Sequence, residues 1–215
     1  MFFSNISNLV GNLRSKLKTI ISLVFVLLLV FSIYMFYQKT SVSNKNNALQ
    51  KYKDELPELE IQAQNQPSNY EVNKRLAYTL YATNNTERAK SAYQHILNLN
   101  PNDSDAYEKL GNMARIDKNY TEAESYYQKA ISADKNNLNA YINLALMYIY
   151  DMNSANKGLQ VLNQAVSENP DNIDLKIMLA KTYQQLGDMQ NARSIYEQIL
   201  QKDPNNADAK SFLQK

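Results

Sequence analysis

Pro67, Pro101, Pro170 and Pro204 fall 34, 69 and 34 residues apart. The middle interval is two periods plus one inserted residue, and the missing member stands in ADKNN, where Lys135 replaces the proline. Each proline sits in a polar phrase: NQPSN, LNPND, ENPDN, KDPNN. A fixed period of this length marks a unit that is one supersecondary element, too small to bury its own apolar face. Such units must stack in series and share a continuous core.

The same apolar pattern returns between the phrases. Leu76-Ala77, Leu110-Gly111, Leu144-Ala145 and Leu179-Ala180 occupy one register. Ala89, Ala123, Gly158 and Ala192 occupy a second, and Tyr93, Tyr127, Leu162 and Tyr196 follow four residues later. Each unit reads as two helices joined by a short polar turn such as TNN, DKN or LGD. The small residue lets two helix axes approach, and the large side chain one turn on fills the adjoining hole. Proline after the second helix stops it, since it lacks an N–H and restricts the residue before it. An Asp or Asn just beyond can cap the next helix. The extra residue of the third unit is expected near Ser154.

The large–Leu–small pattern in each first helix, with Ala-x-x-x-Tyr in each second, resembles the tetratricopeptide repeat across residues 69–204. The resemblance implies an all-α fold, a right-handed superhelix of about four helix-turn-helix repeats with partial caps. The units are 69–102, 103–136, 137–171 and 172–205. Residues 48–68 read as a degenerate leading half-repeat, whose helix is expected to start near Leu56 because Pro57 suits a helix interior poorly. Residues 206–215 read as a closing helix with Phe212 and Leu213 turned inward.

In this family the first helices line the concave side, and the resemblance assigns groove positions. Unit one offers Glu71, Lys74, Tyr78, Tyr81 and Ala82, and unit two Asp105, Glu108, Asn112, Arg115 and Ile116. Unit three offers Asn139, Ile142, Leu146, Ile149 and Tyr150, and unit four Asp174, Ile177, Lys181, Gln184 and Gln185. The stretch AYINLALMYIYDM, residues 140–152, is apolar or aromatic on nearly every side. Leu144, Ala145 and Tyr148 belong to the repeat's internal packing, which leaves Ile142, Leu146, Ile149 and Tyr150 for the groove. Ile116 and Ile177 would flank them in an apolar patch that receives a partner. The alternative is that curvature or the closing helix covers these side chains. A variant of the family clamps a carboxyl-terminal carboxylate with Lys and Asn. Asn112, Asn143 and Lys181 stand at corresponding places, but Glu108 and Ile177 stand where cations are needed, which argues against carboxylate capture.

Residues 19–37 hold no charge. At helical rise they extend roughly 28 Å, close to the bilayer's hydrocarbon thickness. The run ends in MFYQKT, without small residues placed for cleavage, so segment 19–38 is expected to be an uncleaved transmembrane signal anchor. Arg14, Lys16 and Lys18 precede it closely, which places the amino terminus inside and the repeats on the extracytoplasmic side. Residues 1–18 alternate apolar and polar at helical spacing and suit a basic amphipathic cytoplasmic tail. Residues 39–47, polar and aperiodic, suit a linker.

Several function classes are disfavoured. The chain has no Cys, which excludes disulfides and thiolate sites, and its four Gly form no phosphate loop. Residues 39–215 carry 20 basic and 21 acidic groups, without the basic footprint that nucleic acid requires. His95, alone of its kind, lies on a second helix and makes no triad or zinc set. Asp103 and Asp105 lack the remainder of a calcium loop and read as helix-start residues. No catalytic residue, metal, cofactor or small-molecule substrate is expected. The expected function is that of a membrane-anchored protein-interaction module, a scaffold, assembly factor or chaperone-like protein, with a protein or peptide partner. Alternatives are a cytosol-facing receptor for chaperones or targeted proteins, and a structural spacer with no client groove. The layout resembles bacterial membrane-anchored repeat proteins of cytochrome c maturation and of the secretion translocon, in architecture only.

Overall fold

The computed structural model describes residues 2–214, with side chains described for 30–214 apart from 40–42 and 44. Every regular element among the described residues is helical. The order is α1 (Phe2–Asn65), α2 (Tyr70–Ala82), α3 (Thr86–Leu99), α4 (Ser104–Ile116), α5 (Tyr120–Ala133) and α6 (Leu138–Leu146). A π-helical turn (Met147–Asp151) continues α6. Then come α7 (Ala155–Glu168), α8 (Ile173–Gln185), α9 (Met189–Lys202) and α10 (Ala207–Leu213). The chain divides into two compact units, Met1–Glu55 and Leu56–Lys215.

Two expectations about α1 need correction. Residues 39–47 are helical rather than an aperiodic linker, and no helix begins at Leu56, because α1 continues through Pro57. The segment 39–47 contains no Gly or Pro to end a helix. Pro57 denies a donor only to the carbonyl of Lys53, and Lys53 is exposed, so water can satisfy it. Leu59 and Ala63 are buried, and Leu56 packs against the cluster of Ala77 and Leu80. The expected tail 1–18 and residues 19–29 of the expected anchor lie outside the described side chains. Among the described residues no helix is long and apolar enough to cross a membrane.

The polar phrases work as caps. Asn69, Asp103, Asn137, Asn172 and Asn206 each stand two residues past a period-marking proline or Lys135. Their side chains accept hydrogen bonds from the backbone N–H groups of Val72, Ala106, Ala140, Leu175 and Ala209. Each such cap contributes about 1 kcal/mol and fixes where a first helix begins. The turns within units also repeat: Asn84, Lys118, Asn153 and Gly187 take positive φ of 61°, 61°, 49° and 82°. The next N–H then reaches back, as Asn85 to the Leu80 carbonyl at 2.9 Å and Asn119 to that of Ala114 at 2.8 Å. These bonds consume carbonyls that the ended helix leaves unpaired.

The core follows the steric pattern of the sequence. Ala89, Ala123, Ala192 and Gly158 are buried, as are Tyr93, Tyr127, Tyr196 and Leu162 one turn later. A Cβ built on Gly111 would meet the Tyr127 ring at 2.7 Å, so the ring lies directly on the backbone of α4. Phe212 and Leu213 of α10 pack on the last cluster, with Phe212 4.6 Å from Tyr196 between ring centroids.

The inserted residue is absorbed earlier than Ser154. The Met152 N–H reaches the Met147 carbonyl at 3.0 Å, five residues back, and that of Ser154 reaches the Tyr148 carbonyl at 2.6 Å. A helix accommodates one extra residue without ending by widening one turn in this way. Met147 and Tyr148 stay buried within it.

Burying so many phenols sets the alkaline limit of the fold. Burial pushes Tyr93, Tyr127, Tyr141 and Tyr196 above their ordinary 10. Tyr148 is pushed up to about 12, by burial and then by its hydrogen bond with the Glu124 carboxylate. The unfolded chain ionises first, so this contribution is intact below pH 10 and is lost as pH rises from 10 through 12. Each phenol held neutral costs about 1.4 kcal/mol per pH unit across that window. Thermal melts should therefore hold steady to about pH 9 and fall steeply beyond pH 10, in step with tyrosinate absorbance; a flat profile would contradict this burial.

Candidate functional site

The first helices carry the candidate groove, and the structure sorts its residues into three groups. Exposed are Tyr78 (46%), Ile116 (69%) and Tyr150 (62%), together with Lys181. Half-buried are Tyr81, Asn112, Arg115, Ile142, Leu146, Ile149 and Ile177. Of these, Ile142 packs against the cluster around Tyr141 and Tyr148, and Ile177 against the cluster around Ala180 and Tyr196.

Ile149 is not a groove residue. It packs inward against α7, where a Cβ on Gly158 would meet its Cγ1 at 2.4 Å. Ile149 lies within the π-helical turn, next to the small residue of the second helix. The apolar run 140–152 is therefore covered mostly from within. Tyr141, Leu144, Ala145, Met147 and Tyr148 are buried, Ile149 serves α7, and Tyr150 is the large side chain left outside.

The polar groove residues are engaged with one another. Glu108 is 3% exposed and accepts from the side-chain amides of Asn112 and Asn143, the latter at 2.8 Å. Lys109 Nζ lies 2.7 Å from its other oxygen, and the Tyr127 hydroxyl donates to Asn112 Oδ1 at 2.8 Å. The two amides that a terminal carboxylate would need are thus held by an internal carboxylate. Glu108→Ala should lower stability by about 2 kcal/mol, because three donors lose a charged acceptor. An unchanged urea midpoint would show that the network carries no energy.

Cations of the first helices pair with acids of later elements. Lys74 Nζ lies 3.0 Å from Asp105, Arg115 contacts Asp151, and Lys181 Nζ lies 2.8 Å from Asp208. The hydrogen bond that Lys181 donates to Asp208 raises the Lys181 pKa, so that ammonium stays charged. Asp103 caps α4 and also accepts from the Tyr70 hydroxyl, while Asp105 sits in the first turn. His95 is half-buried, one ring nitrogen 2.8 Å from the Pro67 carbonyl oxygen. Among the described residues no three His, Cys, Asp or Glu side chains are grouped to hold a metal ion.

The sequence analysis missed two exposed apolar side chains, Leu186 (47%) and Met189 (52%). Their signal was present in the turn LGDM, apolar at both ends where TNNT and DKNY are polar at the first position.

Comparison with known proteins agrees with this architecture. Tetratricopeptide repeat models match residues 74–137 and 150–215, together more than half of the chain. MamA from Desulfovibrio magneticus RS-1 is 20% identical with a TM-score of 0.58, over 76% of this chain and 95% of that one. YrrB, a tetratricopeptide repeat protein with an unusual peptide-binding site, is 22% identical with a TM-score of 0.53, over 70% of this chain and 77% of that one. A thermophilic tetratricopeptide repeat protein of Thermus thermophilus is 20% identical with a TM-score of 0.53, over 79% and 94%. At such identities the likeness establishes the fold alone. No curated protein matches significantly. The comparisons lend no support to the narrower likeness to cytochrome c maturation or translocon subunits. By its matched repeats and its stacked helical hairpins, the chain belongs to the tetratricopeptide repeat family.

Proposed function

We propose that this chain is a membrane-tethered protein-interaction module whose first helices hold a segment of a partner polypeptide. The observation that carries the reading is the exposure of Ile116 and Tyr150 on successive units, at 69% and 62%, outside every core cluster. Tetratricopeptide repeat proteins generally mediate protein–protein interactions, and one structural neighbour, YrrB, has a peptide-binding site. Among the described residues no arrangement points to catalysis.

The tether is the segment 19–38. Its described part supports the reading: Val30, Phe31, Ile33, Tyr34, Met35, Phe36 and Tyr37 are all at least 46% exposed, on every side of α1. Apolar side chains all round a helix need an apolar surrounding. The three cations ahead of the segment favour a cytoplasmic amino terminus, which supports repeats on the extracytoplasmic side.

A photo-crosslinking residue at 116 or 150 in the full-length chain tests the groove. Adducts with a polypeptide are expected from both, and none from 128 or 198 on second helices. No adduct from 116 or 150 would leave a spacer with no client groove. Protease treatment of intact cells tests the topology: loss of the repeat domain is expected, and its survival would mean that it faces the cytosol.

A further inference from the structure

Among the described residues from Tyr70 onward, five large apolar side chains are exposed: Tyr78, Ile116, Tyr150, Leu186 and Met189. Four of them share one place in the fold. Ile116 is the last residue of α4, Tyr150 lies in the π-helical turn that ends α6, Leu186 caps α8, and Met189 opens α9. Ile116, Tyr150 and Leu186 stand where the first helices of units two, three and four give way to their turns, and Met189 stands where the turn of unit four enters its second helix. None belongs to a core cluster, so folding makes no use of their apolar surface.

Contacts set these helix ends side by side. Arg115 pairs with Asp151, which joins the end of α4 to the π-helical turn. The Tyr150 hydroxyl donates to Gln185 Oε1 at 3.3 Å, which joins that turn to the end of α8. The four side chains therefore stand exposed on neighbouring helix ends across three units, and apolar surface gathered in this way marks an interaction site. The electrostatics of the edge narrow the partner. Arg115 pairs with Asp151, the exposed Asp117 and Lys118 beside Ile116 carry opposite charges, and Asp188, between Leu186 and Met189, is engaged by Asn191. A partner segment charged with one sign would meet like charge there as well as opposite charge.

We infer that the edge formed by Ile116, Tyr150, Leu186 and Met189 receives an uncharged, extended segment of another polypeptide. Neighbouring packed helices stand roughly 10 Å apart, and extended backbone advances about 3.3 Å per residue. One apolar residue in three would then meet successive units. The inference rests on the protein-binding reading above and specifies the chemistry of the partner for it.

The test uses the full-length chain in a nonionic detergent and three labelled dodecapeptides, with micelle uptake subtracted. One carries Leu at every third position with Ser and Asn between; the others replace the intervening residues with Asp or with Lys. Fluorescence anisotropy is read at low and high NaCl. The neutral peptide should bind most tightly, with less than about a twofold change in Kd between the two salts. Ile116→Asp and Tyr150→Asp should each weaken it at least about tenfold, with helicity and Tm preserved because both side chains are exposed. Tighter, salt-sensitive binding of either charged peptide would overturn the inference, while first-helix crosslinks would still support a client groove. Unchanged affinity in both Asp variants would also overturn it. So would self-association that these variants abolish, since the occupant would then be a second copy of this chain.

Discussion

Tyr127→Ala should cost about 3–5 kcal/mol, the range for removing a buried aromatic ring. Tyr127 is fully buried, its ring lies on the Gly111 backbone, and its hydroxyl donates to Asn112. The ring belongs to α5 yet fills a hole in α4, so the variant leaves a cavity between the two helices of unit two. Tyr127→Phe keeps the ring and should cost only about 1 kcal/mol, the value of one hydrogen bond. Tyr141→Phe supplies the contrast. The Tyr141 hydroxyl is buried with no partner among the described residues, so its removal should leave stability unchanged or raise it. Urea unfolding followed by circular dichroism checks all three. Equal losses for the two Phe variants would contradict the assigned hydrogen bonding.

The second large effect concerns Gly158. A Cβ there would meet Ile149 Cγ1 at 2.4 Å and the Ala145 carbonyl oxygen at 3.0 Å. Glycine within a helix is worse than alanine by up to about 1 kcal/mol, so two terms oppose. Overpacking costs about 1–3 kcal/mol, and here one of the obstructing atoms is backbone, so the clash should win. Gly158→Ala is expected to destabilise by about 1–2 kcal/mol, and Gly158→Val by about 3 kcal/mol, since branching adds bulk. The sign should reverse when the obstructing side chain is gone: with Ile149→Ala already present, Gly158→Ala should be neutral or stabilising. That double-mutant cycle measures the contact directly. An unchanged penalty in the Ile149→Ala background would mean that the π-helical turn does not seat Ile149 against α7.

The same contact shows why part of the candidate groove could not be read in advance. Ile149 and Tyr150 are both apolar members of one run, yet within the π-helical turn the first packs on α7 and the second stays exposed. Ile142→Asp, an obvious groove variant from sequence, would strike the packing around Tyr141 and Tyr148, whereas Ile116→Asp and Tyr150→Asp alter exposed surface. Leu186 and Met189 escaped for a related reason. They lie in a turn, where an apolar pair has no periodicity to announce it, and their importance comes from helix ends brought together across units.

The sequence by itself determined the period, the paired helices, the caps just past each period-marking phrase and the small-and-large docking of neighbours. These are local or nearest-neighbour matters: an Asn caps the helix it precedes, and an Ala admits the helix next to it, whatever the rest of the chain does. The tertiary structure alone decided which apolar side chains remain outside. It decided also that Glu108 satisfies Asn112 and Asn143 itself, and that an inserted residue widens α6 instead of lengthening a turn. Those outcomes depend on the rotation of each helix against its neighbours, and a one-residue shift changes that rotation by about 100° while leaving the composition untouched.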